Sequence, residues 1–200
     1  MARALGQVMR HHIENVIRKI GGEPMRQRAV ADLRYIVLHR FGSHDLEWYD
    51  EQGIAPTALG VAKFYQRNPE ACAATGGHMP YTFVVGQGGG AWQARALTDV
   101  TPHSKRFNTP GIGVAFLGDF RLLPPTRDQW NVGVDMCAAL RRLWPHLQIV
   151  GHTGLGAEAT SDPGKQCPGR MFDVTDFAAE VQSVIDAAAG MHLLSMGVAI

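Results

Sequence analysis

Three side chains of types that bind zinc stand at or after short apolar stretches of this 200-residue chain. His39 ends the apolar run that starts at Tyr35, His152 follows Gly151 after a second short run, and Cys167 lies in the next loop. Structural zinc sites normally fill all four coordination positions with protein groups, whereas three protein ligands leave one position for water. The three residues therefore predict a catalytic centre that holds one Zn²⁺ ion.

The residues around Cys167 favour a metal-bound thiolate. A thiolate needs positive charge nearby at neutral pH, and a zinc ion supplies it. Lys165 stands two residues before Cys167, and Pro168 and Gly169 after it are typical of a tight turn that aims the sulfur inward. Taken singly, each histidine is also typical of a hydrogen-bonded core residue, and a lone cysteine of a small buried apolar one. The prediction depends on the three residues meeting in the folded chain.

The composition favours one globular domain. Hydrophobic residues make up 46% of the chain and charged residues 18%, which is enough apolar material for one sizeable core. The formal net charge is +1 and the basic residues are scattered, so we expect no nucleic-acid partner. The three cysteines argue against a disulfide framework. No apolar run reaches the roughly 18 residues that span a bilayer, so we expect no membrane span.

The first residues lack the apolar core of a secretory signal, which runs for about 7–15 residues. Arg3, Arg10, His11, His12 and Glu14 interrupt that stretch. We therefore expect the protein to be made in the cytoplasm without a secretory signal, in a reducing compartment. Lysis or a dedicated secretion machine would still bring it elsewhere.

Predicted strands alternate with predicted helices along the chain. Apolar runs predict strands at residues 33–39, 81–85, 91–95, 112–117 and 148–150. Helical spacing and capping residues predict helices at residues 5–20, 56–66, 126–145 and 173–188, with loops at 40–53 and 69–80. This order is typical of a single α/β domain with a central mixed β-sheet flanked by helices. The predicted organisation is an N-terminal amphipathic helix at 1–22, a catalytic domain at 23–188 and an apolar C-terminal tail at 189–200.

Several segments, in order along residues 33 to 178, resemble those of zinc-dependent N-acetylmuramoyl-L-alanine amidases of the phage-lysozyme and peptidoglycan-recognition-protein type. No single segment is specific, whereas their shared order is. They are Ile36-Val37-Leu38-His39, Pro80-Tyr81-Thr82-Phe83-Val84-Val85, Pro102-His103-Ser104 with Asn108, Gly111-Ile112-Gly113-Val114, Leu117-Gly118-Asp119-Phe120, Pro125-Thr126 with Gln129, Gly151-His152 and Lys165-Gln166-Cys167-Pro168-Gly169.

The resemblance implies an activity and roles for single residues. The activity would be hydrolysis of the amide bond between N-acetylmuramic acid and L-alanine, in a fold like that of the peptidoglycan-recognition proteins. His39, His152 and Cys167 would bind the zinc ion. Tyr81 would orient the water or the carbonyl group, and Lys165 would stabilise the developing oxyanion.

The resemblance also implies a substrate cleft and a partner. His103 and Asn108 fall on positions that line the cleft in this family. The partner would be peptidoglycan or a muropeptide, reached in the cell wall after release by a phage or a bacterium, or as fragments in the cytoplasm. The sequence does not determine the oligomeric state.

The residues are also compatible with four different assignments. Asp162 matches the aspartate ligand of an intracellular branch of the family and so competes with Cys167, although Lys165 has the family's offset from Cys167. The second assignment is a non-catalytic peptidoglycan-binding module of the same fold. The third is a metal-independent cysteine hydrolase that uses Cys167 and His152. The fourth is a closed structural zinc site with Asp162 as the fourth ligand.

Overall fold

Six strands form one mixed β-sheet, and one of them carries His39, a predicted zinc ligand. The computed structural model describes residues 13–20, 24–160, 164 and 166–195, with side chains described as far as residue 188. The strands are β1 (Ile13–Asn15), β2 (Tyr35–Phe41), β3 (Phe83–Val85), β4 (Ala91–Gln93), β5 (Gly111–Leu117) and β6 (Gln148–Gly151). Their order across the sheet is β1-β4-β3-β5-β2-β6. β3 and β4 are antiparallel, and the other neighbouring pairs are parallel.

Helices cover both faces of this sheet. Within the described residues they are α1 (Ile17–Ile20), α2 (Leu46–Glu51), α3 (Ala58–Arg67), α4 (Pro69–Thr75), α5 (Arg127–Leu143) and α6 (Val174–Ser195). Two short 3₁₀ turns, His152–Leu155 and Ala157–Ala159, follow β6. The predicted fold class, a single α/β domain with a central mixed sheet flanked by helices, is confirmed.

The two faces of the sheet pack against different helices. Leu38 of β2 joins a core that contains Phe177 of α6, whereas Phe41 of the same strand joins a core that contains Val61 of α3. Successive side chains of a strand point to opposite faces. His39 therefore lies on the same face as Phe41, the face that α2 and α3 cover.

The described part of the N-terminal segment differs from the helix predicted there. Ile13–Asn15 pairs in parallel with β4, and the Val16 N–H donates to the Gln93 carbonyl at 3.0 Å. Helical structure is limited to the single turn Ile17–Ile20. Pairing with the edge of the sheet thus outweighs the helical spacing of the apolar residues. The remainder of that predicted helix lies outside the described residues.

Two segments predicted to be loops contain helices, so these predictions are wrong. Residues 40–53 include the end of β2 and all of α2, and Asp45 caps α2 by accepting a backbone N–H at 2.9 Å. Residues 69–80 begin with α4, which has Pro69 at its first turn and Asn68 as its cap. Both helices start at residues with a known capping preference, and that local signal outweighs the polar composition.

The last two helices begin at their predicted caps. The Thr126 hydroxyl accepts the Gln129 N–H at 3.1 Å, and the Asp173 carboxylate accepts two backbone N–H groups at 2.8 and 3.0 Å. α6 continues to Ser195, so the tail predicted at residues 189–200 begins inside a helix. Among the described residues, no helix combines the length and the apolar character needed to cross a membrane.

Candidate metal centre

His39 and His152 are neighbours because of the pairing of β2 with β6. Leu38 is in register with Gly151, which places the following residues, His39 and His152, side by side. Their ring centroids are 4.6 Å apart, and each side chain is 2% exposed. Strand pairing on both sides of β2 fixes the backbone that carries His39.

Hydrogen bonds tie the loop of Cys167 to the segments that carry the two histidines. Arg40, the residue after His39, donates its Nε–H to the Gln166 carbonyl at 3.2 Å. Thr153, the residue after His152, donates its backbone N–H and its hydroxyl to the Cys167 carbonyl, both at 3.0 Å. The Cys167–Pro168 peptide bond is cis. The hydrogen bonds of Arg40 and Thr153 hold the loop against both segments that carry the histidines.

The three predicted ligands meet in the folded chain. One ligand atom from each of His39, His152 and Cys167 lies within 4.8 Å of the other two, and all three residues are buried. The Cys167 Sγ lies 3.7 Å from His39 Nδ1. A tetrahedral zinc ion with its usual bond lengths would hold a sulfur and a nitrogen about 3.6 Å apart. Imidazole and thiolate groups suit zinc, so the three residues fit a single zinc ion.

A hydrogen bond determines which ring nitrogen of His152 carries the proton. His152 Nε2 lies 2.9 Å from the Ala159 carbonyl oxygen, which can only accept. Nε2 therefore carries the proton, and the lone pair of the neutral ring is on Nδ1. Metal-binding histidines commonly donate their second N–H to a carbonyl group in this way.

Tyr81 lies beside the metal centre, just before β3. Its ring centroid is 5.3 Å from that of His39, and its hydroxyl oxygen is 3.1 Å from that of Tyr65. Burial raises the pKa of Tyr81 well above its usual value, and the neighbouring Tyr65 hydroxyl raises it further. Both effects favour the neutral Tyr81 hydroxyl, which can donate a hydrogen bond.

His103 lies next to His39. His39 Nε2 is 3.0 Å from His103 Nδ1, and His103 Nε2 is 3.2 Å from the Gly111 carbonyl oxygen. Burial lowers the pKa of His103 to about 3, an effect that the Gly111 hydrogen bond opposes and the Arg28 charge supports. The ring is therefore neutral at physiological pH.

A cavity of about 390 Å³ opens beside the metal centre, lined by His103, Asn108 and His152 among others. The Asn108 side-chain oxygen accepts the Ser104 N–H at 2.7 Å, which orders the loop between β4 and β5. Both residues that the resemblance assigns to the substrate cleft thus line this cavity. Substrate contacts of His103 and Asn108 stay predictions.

Lys165 and Asp162 lie outside the described residues. The oxyanion-stabilising role of Lys165 therefore stays a prediction, and Asp162 stays a competitor of Cys167 for the metal. Of the two candidate third ligands, Cys167 is the one that the structure describes, and it lies within reach of both histidines.

Comparison with known proteins identifies the family. Residues 29–170 match the family described as N-acetylmuramoyl-L-alanine amidase. The chain belongs to the N-acetylmuramoyl-L-alanine amidase family. The matched segment contains His39, Tyr81, His103, His152 and Cys167. The resemblance seen in the sequence is thus confirmed.

Relatives in sequence are recognition proteins of insects. A peptidoglycan-recognition protein of Drosophila simulans is 29% identical over 93 residues, which are 45% of this chain and 47% of that protein. The corresponding protein of Drosophila melanogaster is 29% identical over 87 residues, which are 42% of this chain and 47% of that protein. The chain spans about half the length of these relatives.

Solved structures share the fold at low sequence identity. The Ph2119 endolysin of a Thermus scotoductus bacteriophage has a TM-score of 0.64 and 19% identity, over 85% of this chain and 99% of the endolysin. The amidase LysC of Clostridium intestinale has a TM-score of 0.63 and 15% identity, over 86% and 98% of the two chains. Drosophila peptidoglycan-recognition protein SD has a TM-score of 0.61 and 14% identity, over 86% and 94%. At these identities the likeness shows the fold, which matches the predicted one.

Two residues of the site, Tyr65 and Arg40, are not among the predicted site residues. Tyr65 lies on α3, and its hydroxyl reaches Tyr81 because α3 packs across the sheet. That contact is long-range and leaves no local signal. Arg40 directly follows His39, and this adjacency to a predicted ligand is a signal that the sequence does offer.

Proposed function

We propose that this protein is a zinc-dependent N-acetylmuramoyl-L-alanine amidase. It hydrolyses the amide bond between N-acetylmuramic acid and L-alanine, in peptidoglycan or in muropeptides. The observation that carries the proposal is the convergence of His39, His152 and Cys167 within 4.8 Å in a chain of this family. Three protein ligands leave a coordination position for water or substrate, as catalytic zinc sites do.

The protein's own residues hold and isolate the reacting groups. When bound, a zinc ion supplies a Lewis acid and lowers the pKa of a coordinated water to about 7. His39, His152 and Cys167 are all buried, so little bulk water competes at the site. Electrostatic interactions in such an environment are stronger than in water.

Tyr81 and Lys165 are proposed to act on the substrate carbonyl. Burial favours the neutral Tyr81 hydroxyl, which lies beside His39 and would donate a hydrogen bond to the carbonyl oxygen or to the water. Lys165 would stabilise the developing oxyanion by its positive charge, the role that the family resemblance implies for it. Loss of one such donor typically raises the barrier by about 2.7–4 kcal/mol. Lys165→Ala should therefore keep zinc and lose most turnover.

Metal analysis combined with a hydrolysis assay tests the proposal. Purified protein should contain about one zinc ion per chain and release stem peptides from sacculi or soluble muropeptides. A chelator should abolish the activity, and added zinc should restore it. Full activity in metal-free protein would reject the mechanism. Comparing sacculi with soluble muropeptides shows whether the substrate is the wall or its fragments.

Substitutions test the third ligand. Cys167→Ala should lose both zinc and activity, whereas the matched control Cys72→Ala, at a cysteine on α4 outside the metal centre, should lose neither. If Asp162→Ala strips the metal and Cys167→Ala does not, the assignment of Cys167 is wrong. A structural zinc site closed by Asp162 would hold zinc without turnover.

The chelation assay, together with sedimentation of the protein with insoluble peptidoglycan, also distinguishes an amidase from a cysteine hydrolase and from a binding module. A cysteine hydrolase that uses Cys167 and His152 would keep its activity in chelator and lose it to a thiol alkylator. A non-catalytic module would sediment with insoluble peptidoglycan and release no peptide, with or without zinc.

A further inference from the structure

The ring of His103 is held between His39 and the backbone of β5. His103 Nδ1 is 3.0 Å from His39 Nε2, and His103 Nε2 is 3.2 Å from the Gly111 carbonyl oxygen. Both ring nitrogens of His103 are thus engaged inside the protein.

The hydrogen-bonding chain dictates where each proton lies. The Gly111 carbonyl can only accept, so His103 Nε2 carries a proton and the Nδ1 of the neutral ring has a lone pair. That lone pair accepts the proton of His39 Nε2. The lone pair of the His39 ring is then on Nδ1, the atom 3.7 Å from the Cys167 Sγ. The Gly111 carbonyl thereby sets the tautomer of His39, a predicted zinc ligand, through the ring of His103.

A buried arginine holds the backbone that carries and contacts His103. Arg28 is 6% exposed and donates from Nη1 to the Gly111 carbonyl at 2.6 Å. The same Nη1 atom contacts the Asn108 and Thr109 carbonyls at 2.6 and 2.9 Å, which fixes the end of the loop that carries His103.

Two glycines of β5 leave room for the His103 ring. A Cβ atom on Gly113 would lie 2.8 Å from His103 Cγ, and one on Gly111 would lie 2.9 Å from His103 Cε1. Both positions lie on the face of the sheet that carries His39, since Gly113 and Ala115 are in register with Val37 and His39. The sequence of β5 is thus matched to a ring at this point.

We propose that His103 is a positioning residue that holds His39 as the Nε2–H tautomer, with the Nδ1 lone pair directed at the metal centre. The inference rests on the proposed function, since zinc is the group that His39 would bind. His152 obtains the same arrangement from a backbone carbonyl, that of Ala159. His39 obtains it from a side chain, which substitution can remove.

Three variants separate the hydrogen bond from packing. His103→Leu removes the acceptor for His39. The Gly111 carbonyl keeps Arg28 as a hydrogen-bond donor, so it is not left without a partner. His103→Asn keeps an acceptor oxygen close to the position of Nδ1. His146→Leu is the matched control, because His146 also hydrogen-bonds a carbonyl, that of Leu33 at 3.0 Å, outside the metal centre.

Zinc affinity, measured by competition with a chromophoric chelator, is the first readout. His103→Leu should lower it by about 10–100-fold, the usual effect of losing the partner of a metal-bound histidine. His103→Asn should stay within about fivefold of the parent, and His146→Leu should match the parent. Thermal unfolding checks that all four proteins are folded. Equal affinity in His103→Leu and His146→Leu would overturn the proposal, and so would equal losses in His103→Leu and His103→Asn.

Nitrogen-15 spectra of the imidazoles in zinc-free protein give a readout that needs neither metal nor activity. The parent should show His39 protonated at Nε2, with scalar coupling across the hydrogen bond to His103 Nδ1. The coupling should vanish in His103→Leu. A proton on His39 Nδ1 in the parent would overturn the proposal. If the spectra agree but the parent binds no zinc and releases no peptide, the proposed function fails while the tautomer assignment stands.

Discussion

Tyr65 and Tyr81 place their hydroxyl oxygens 3.1 Å apart beside the metal centre. Tyr65 comes from α3 and Tyr81 from the segment before β3, so the pair joins the helical layer to the sheet. Burial raises the pKa of Tyr65 as it does that of Tyr81, so both hydroxyls stay protonated. Because the Tyr81 hydroxyl is hydrogen-bonded to that of Tyr65, rotation of the Tyr81 O–H bond is restricted. We therefore expect Tyr65 to orient the Tyr81 hydroxyl, which we propose acts on the substrate.

Tyr65→Phe should slow turnover without loss of zinc. One neutral hydrogen bond contributes about 0.5–1.5 kcal/mol net to stability. An increase of that size in the activation barrier corresponds to a fall in kcat of about two- to tenfold. Tyr81→Phe should cost more, since it removes the donor itself. Steady-state kinetics and metal analysis on the two variants check this. Loss of zinc in Tyr65→Phe, or a fall in kcat as large as that of Tyr81→Phe, would contradict the proposal that Tyr65 acts by orienting Tyr81.

Arg40→Lys should weaken zinc binding. The Arg40 guanidinium donates to the Gln166 carbonyl at 3.2 Å and lies 3.3 Å from the Asp119 carboxylate. A lysine keeps the charge but lacks the planar fork that reaches both groups. The Cys167 loop should then hold its sulfur less firmly, with a loss of up to about tenfold in zinc affinity by chelator competition. Arg34→Lys, at a residue bonded to nearby carbonyls, is the control. Equal affinities in both variants would reject this role of Arg40.

The positions of the predicted ligands follow from local patterns. Apolar runs end at His39 and just before His152, and paired parallel strands bring such ends together, as β2 and β6 do. The cap of α5 is likewise local, since Thr126 needs only the N–H three residues on. These parts of the fold and the site were within reach of sequence reasoning.

The other features of the fold and the site depend on contacts between segments that are distant along the chain. Gln129 fits a capping box with Thr126, yet its side chain donates to the Val85 and Leu117 carbonyls at 3.1 and 3.0 Å. Those acceptors belong to β3 and β5, so the choice depends on how α5 packs on the sheet. His103 was predicted to line a cleft, and its bond to His39 becomes visible only once β2 and β5 are in register. Periodicity along one segment carries no information of this kind.

Acid should remove a specific part of the stability. Hydrogen bonds from Arg121, partly opposed by burial and supported by the Arg40 charge, lower the pKa of Asp119 from 3.8 to about 2. A lowered pKa means that the ionised form stabilises the fold. This stabilisation is complete above the unfolded pKa and is lost as the pH falls from about 4 through about 2. The difference in Tm between the parent and Asp119→Asn should therefore shrink over that range. Thermal unfolding at a series of pH values measures it, and a constant difference would contradict the assignment.

Gly169→Ala should damage the metal centre through the backbone of the Cys167 loop. Gly169 has a φ of +132°, and an added Cβ would lie 2.6 Å from the Phe120 carbonyl oxygen. Backbone strain of this kind costs on the order of 1–3 kcal/mol. The Met171 N–H to Phe120 carbonyl bond, at 2.8 Å, joins the same two segments, so they cannot separate freely. We expect a lower Tm together with weaker zinc binding.

Gly154→Ala is the matched control for that substitution. Gly154 lies in the turn after His152, and an added Cβ would meet no atom within 4 Å. A substitution in such open space usually changes stability by no more than about 0.5 kcal/mol. Tm and zinc affinity should therefore match the parent in Gly154→Ala and fall together in Gly169→Ala. If Gly169→Ala lowers Tm but binds zinc as the parent does, the sulfur of Cys167 does not depend on this turn for its position.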